Sequence, residues 1–128
     1  MRSSRAVARD SEIIRQENAT WGLGSISHRA PNSTEYLYDE SAGEGTWAYV
    51  LDTGIYIEHE EFEGRAHLGY NAFPNLAFED TDVHGTHCAG TIASRKYGVA
   101  KKANVIDVKV FGDEDVAIPL PPASRIAH

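Results

Sequence analysis

Trp47-Ala48-Tyr49-Val50-Leu51-Asp52-Thr53-Gly54 is the stretch on which the fold turns. Its aromatic and branched apolar residues, in unbroken succession, predict a strand buried on both faces, as in a parallel sheet covered by helices. Asp52 then stands just past the strand's carboxyl end, where open α/β sheets place their ligands. Outward from it, a weaker strand is expected around residues 66–72, and Pro74 with Asn75 opens a polar loop running to Val83. The segment from Thr86 to about Ser94 is rich in small residues and compatible with helix, with Cys88 and Ile92 on one face and Ala89 and Ala93 on the next; Gly98 is the expected stop. His84 therefore falls at the amino end of that helix. Val105, Ile106, Val108 and Val110 predict a further strand, so the order is strand, crossover, strand, the signature of a parallel sheet.

Towards the termini the pattern weakens. Residues 1–17 are charged and show no periodicity, and the chain changes character at Trp21-Gly22-Leu23-Gly24, which places a boundary near Asn18. Beyond Phe111 comes Gly112-Asp113-Glu114-Asp115 and a tail holding Pro119, Pro121 and Pro122, expected to form neither helix nor central strand. The expected organisation is 1–17, 18–111 and an unstructured 112–128.

Composition excludes several classes of function. With 128 residues and 41% apolar content the chain is long enough for one core. A net charge of -7 argues against nucleic acid as a partner, and no apolar run approaches the roughly 20 residues of a membrane span. Cys88 is the only cysteine, so no internal disulfide can form. Met1 to Asp10 bring positive charge without an apolar run and do not read as a signal peptide. Asn18-Ala19-Thr20 and Asn32-Ser33-Thr34 are sequons that matter only in a eukaryotic secretory pathway.

The chemistry lies in Asp52 and His84. An aspartate closing a strand and a histidine opening a helix are the parts needed to orient and charge-balance a general base: the carboxylate fixes the tautomer and stabilises the imidazolium. Gly54 and Gly85 suit the close approach of the turn to the helix start. Another reading of the same region places a zinc or other divalent ion between His84 and His87, three residues apart near Asp80 and Asp82, as in a metal-dependent hydrolase. The acidic loop from Glu79 to Asp82 is expected to be solvated, and Cys88 to act as a small buried apolar residue.

Two motifs make the pattern specific. Ala48-Tyr49-Val50-Leu51-Asp52-Thr53-Gly54-Ile55 resembles the aspartate motif of subtilisin-like serine peptidases, and Val83-His84-Gly85-Thr86-His87-Cys88-Ala89-Gly90-Thr91 resembles their histidine motif, in the family's order. Trp21-Gly22-Leu23, Tyr38-Asp39-Glu40-Ser41-Ala42-Gly43, Glu61-Phe62-Glu63-Gly64-Arg65-Ala66 and Tyr97-Gly98-Val99-Ala100-Lys101-Lys102 are similar to the proteinase K-like and fungal alkaline protease branch. The resemblance covers about residues 19–111.

It implies a three-layer α/β subtilisin-like fold with a parallel sheet, truncated on its carboxyl side. Asp52 would be the orienting carboxylate and His84, not His87, the base of an Asp-His-Ser endopeptidase. It also implies an extracellular location, a protein or peptide substrate, a monomer, the protein's own prosegment as partner in the precursor, and residues 1–17 as a remnant of that prosegment. No cofactor is implied here; a structural calcium ion belongs to the full-length family enzyme, its ligands largely outside this chain. Trp47 stands where the branch carries a cysteine that pairs elsewhere, so that disulfide is absent.

The family's oxyanion asparagine and nucleophilic serine fall outside the chain, and Ser94 and Ser124 lack the glycine-flanked context of a nucleophile. The chain alone is therefore expected to be inactive and, with sheet edges open, to fold poorly without complementary layers. A non-catalytic remnant or binding fragment is the alternative to an enzyme.

Overall fold

The computed structural model describes residues 12–112. The expected unstructured tail therefore lies outside the described residues apart from its first position, as do the first eleven residues of the expected prosegment remnant. The chain divides into two compact units, one ending at Ser41 and the other beginning at Ala42.

The first unit holds strand β1 (Ile13–Gln16), helix α1 (Trp21–Ser27) and strand β2 (Tyr36–Asp39). β1 and β2 pair antiparallel, with Ile13 opposite Asp39 and Gln16 opposite Tyr36. For residues 13–16 this corrects the reading of the first segment as lacking periodicity; residues 1–11 lie outside the described residues. The alternation is real but only four residues long, and the exposed Ile13 disguises it. Ala19, Leu23 and Tyr36 form a small buried cluster with Tyr38 packed against it. Ala19 N–H donates to Thr34 O at 2.7 Å, tying the approach to α1 to the segment before β2.

The second unit carries the parallel sheet. Strands β3 (Trp47–Asp52), β4 (Ala66–Asn71) and β5 (Asn104–Lys109) lie in the order β3-β5-β4, and both pairings are parallel. Register places Asp52 opposite Lys109 and Val50 opposite Asp107. The expected strands are thus present within one or two residues of their expected ends. Helix α2 runs His84–Ala93, starting earlier than expected and stopping before Gly98, because Ser94 turns to extended backbone. Gly98 N–H instead donates to Ser94 O in the turn that follows.

The core lies between α2 and one sheet face. Ala89 and Ala93 are fully buried, their small side chains letting the helix approach Val50 and Val105, while Ile55 and Phe62 fill the ends. Burying each of the larger side chains stabilises the fold by about 1.5–3 kcal/mol. The carboxyl end of α2 is fastened by Arg65, whose guanidinium donates at 2.7 Å to both Ala93 O and Ala103 O. The first bond satisfies a carbonyl that the helix end leaves unpaired, and the second ties it to the residue before β5. With α2 fixed at that end, its amino end is directed at the turn after β3.

Candidate active site

Strand β3 delivers Asp52 and helix α2 delivers His84. His84 Nδ1 lies 2.8 Å from one Asp52 carboxylate oxygen and 3.0 Å from the other, so an Nδ1–H donates across both. The Asp52 side chain is 14% exposed and that of His84 66%. The carboxylate is therefore sheltered while the ring opens to solvent, and His84 Nε2 has no hydrogen-bond partner among the described residues. Asp52 also accepts from Thr53 N–H at 2.7 Å. The hydrogen bond to Asp52, and then that residue's charge, raise the His84 pKa above its ordinary value; desolvation opposes this weakly, and Asp82 and Asp80 add to the rise.

The turn and helix meet closely enough to demand glycine. Gly54 has φ +125°, and a Cβ on Gly85 would stand 2.1 Å from Gly54 O and 3.1 Å from Asp52 Cβ. Nothing larger fits without moving the helix off the turn.

Asp80 is one residue that sequence reasoning missed. Expected in a solvated loop, its carboxylate instead accepts from Thr53 Oγ1 at 2.8 Å, Val83 N–H at 2.9 Å, Asp82 N–H at 3.2 Å, Thr86 N–H at 2.9 Å and the Thr86 hydroxyl. Burial raises its pKa, but the bonds from Thr86, Thr53 and Val83 outweigh burial and leave the pKa lowered. A carboxylate ringed by donors is no part of a calcium cage, since its lone pairs already face hydrogens. The sequence signal was present in Asp80 standing three residues before the cap position and six before Thr86.

Asp107 was also missed. Fully buried on β5, it accepts from Ile55 N–H at 2.8 Å through Oδ2, while Oδ1 has no partner among the described residues, and burial pushes its pKa up to about 6. Lys109, also buried, donates its ammonium to Thr53 O. Both side chains grip the turn that follows Asp52.

Cys88 is partly buried rather than enclosed, with Sγ 3.8 Å from His84 Nδ1. Burial, followed by the charge of Asp52, raises its pKa, which keeps the thiol protonated and poorly nucleophilic. The potential ligand atoms of Asp52, His84 and Cys88 all lie within 4.8 Å of one another. His87 stands outside that group, so the region assembles differently from the His84 and His87 metal pair considered from sequence.

The Subtilase family profile matches residues 43–120, more than half of the chain. The chain belongs to the Subtilase family. This subtilase chain is 61% identical over 97 residues to subtilisin-like proteinase Mp1 of Magnaporthiopsis poae, covering 75% of this chain and 24% of that protein. To alkaline protease 1 of Aspergillus oryzae it is 58% identical over 102 residues, or 80% of this chain and 25% of the relative. Among solved structures, a cold-adapted subtilisin-like serine proteinase matches with TM-score 0.69 and 41% identity, covering 80% of this chain and 38% of that one. The subtilase chain thus has the expected α/β fold with a parallel sheet, and spans about a quarter of the length of these curated relatives. Among its described residues no helix is long and apolar enough to cross a membrane.

Proposed function

We propose that this chain is the amino-terminal part of a serine endopeptidase, in which Asp52 orients and charge-balances His84 and His84 acts as general base towards a hydroxyl nucleophile supplied by a family serine outside these residues. The observation that supports this best is the bond of both Asp52 oxygens to His84 Nδ1, with the other ring nitrogen open. In that arrangement Nδ1 keeps its proton and Nε2 keeps its lone pair, so Nε2 can take the hydroxyl proton as the oxygen attacks a peptide carbonyl. The imidazolium formed is held beside the carboxylate until it returns the proton to the leaving amine.

Protein or peptide substrates, an extracellular setting and a prosegment partner belong to the same reading, with residues 18–111 as catalytic domain, 1–17 as prosegment remnant and 112–128 as a divergent tail. The names of the relatives, proteases and proteinases, support the substrate class.

A chimera tests it: residues 18–111 replace the aligned segment of the Aspergillus oryzae protease. Casein hydrolysis and labelling by a fluorophosphonate are expected. His84→Ala should lower kcat on the order of 10⁶-fold, the loss known for subtilisin itself. A folded chimera that neither cleaves nor labels, or one indifferent to His84→Ala, contradicts the assignment.

A further inference from the structure

Helix α2 begins without a cap of its own. Its cap residue, Val83, makes no side-chain bond, and has φ 76°, in the left-handed region. The donors left open at the helix start are met from outside. Gly85 N–H donates to Thr53 Oγ1 at 3.0 Å, and Thr86 N–H to Asp80 Oδ2 at 2.9 Å. Thr53 Oγ1 in turn donates to Asp80 Oδ1 at 2.8 Å, and Thr86 Oγ1 accepts from Tyr56 N–H at 2.9 Å. Two direct bonds, Gly85 to Thr53 and Tyr56 to Thr86, therefore join the chain just after Asp52 to the two residues just after His84, and Asp80 ties the two together by accepting from both threonines. The carboxylate touches neither partner of the Asp52–His84 bond.

We propose that Asp80 is a positioning residue for the Asp52–His84 pair, serving as remote cap of helix α2 and, through Thr53, as brace of the turn that carries Asp52. This rests on the reading of Asp52 and His84 as orienting acid and base. The geometry explains why a carboxylate is needed. Donors from three separate points converge on two oxygens, and an amide in its place would set an N–H₂ group against N–H and O–H donors. Without the brace, α2 stays attached at its carboxyl end through Arg65 while the threonines that make the two direct bonds at its amino end lose their common anchor, and the short bond to Asp52 is the first contact to open.

Asp80 also carries charge near His84, together with Asp52, Asp82 and the neutral Cys88 thiol, so the test must separate charge from position. Histidine side-chain NMR on the full chain reads the His84 titration and its low-field Nδ1–H resonance in wild type, Asp80→Asn, Thr53→Val and Thr53→Ser. Thr53→Val removes one bridge without altering charge.

The expected result is that Asp80→Asn and Thr53→Val both bring His84 down towards the ordinary histidine range and erase the Nδ1–H resonance. Thr53→Ser restores both, and the amide signals of β5 persist throughout. An effect of Asp80→Asn alone, with Thr53→Val like wild type, overturns the positioning role and leaves only electrostatics. Loss of the β5 signals in both variants also overturns it, in favour of a general structural role. A wild-type chain with no raised His84 and no Nδ1–H resonance counts instead against the Asp52–His84 reading beneath.

Discussion

At the scale of single residues, the site is set by where charge is allowed to sit. Asp107 is the costly one: buried, with one oxygen unpartnered among the described residues and a pKa of about 6. A carboxyl held above its unfolded value binds its proton more tightly in the fold, so its contribution is fully present below about pH 4 and is lost as pH rises through 6. Asp107→Asn keeps an acceptor for Ile55 N–H, and is expected to stabilise the protein at pH 8 on the order of 2 kcal/mol while flattening the pH dependence between 4 and 6. Urea titrations at pH 4, 6 and 8 check this, and equal destabilisation at all three would refute it. His84 carries the functional counterpart. Its pKa is raised mainly by the Asp52 bond, so the acid limb of kcat/KM in the active chimera should lie above the ordinary histidine value. Asp52→Asn is expected to move that limb down and to slow turnover about 10⁴-fold.

The elements show which parts of the arrangement could be read in advance. β3, α2 and β5 announce themselves through apolar runs and small-residue spacing, and the acid and base follow because each stands at the end of such an element. Asp80 gave only the weaker signal of its spacing from the helix start, and Asp107 gave none. Four of the five donors to Asp80 stand within six residues of it, but that spacing alone does not separate a capping aspartate from a solvated one; its fifth donor, Thr53, is 27 residues away, and the partner that turns Asp107 inward is 52 away. β1 and α1 were missed for a related reason, since short elements depend on each other for burial. Two element-scale outcomes follow from the helix start. Val83 is 64% exposed and adopts φ 76°, a conformation costly for a β-branched side chain. Val83→Asn should raise stability by about 1 kcal/mol, seen as a higher Tm, and an unchanged or lower Tm would show that the strain is absent. Gly85→Ala should do the reverse, destabilising by about 1–3 kcal/mol and parting His84 from Asp52, as the imidazole titration would reveal.

Taken whole, the parallel sheet has a helix on one face, while on the other Trp47, Tyr49 and Leu51 of β3 are 52%, 43% and 39% exposed. β3 is also an edge strand, so an apolar surface and a row of open backbone groups coincide. The isolated chain should therefore bind a hydrophobic dye and self-associate. Tyr49→Thr with Leu51→Thr should reduce both while preserving the Asp52–His84 bond; dye binding and light scattering that ignore the substitutions would place the sticky surface elsewhere. The strand order has a last consequence, for biosynthesis. β5 sits in the middle of the sheet yet leaves the ribosome after both strands it joins. At roughly 5–20 residues per second, β3 and β4 spend several seconds as nascent segments without a sheet neighbour. During that interval Asp52 already exists, but the seat that holds it does not, and a chaperone able to shield Trp47 to Leu51 would govern how much of the newly made protein ever acquires one.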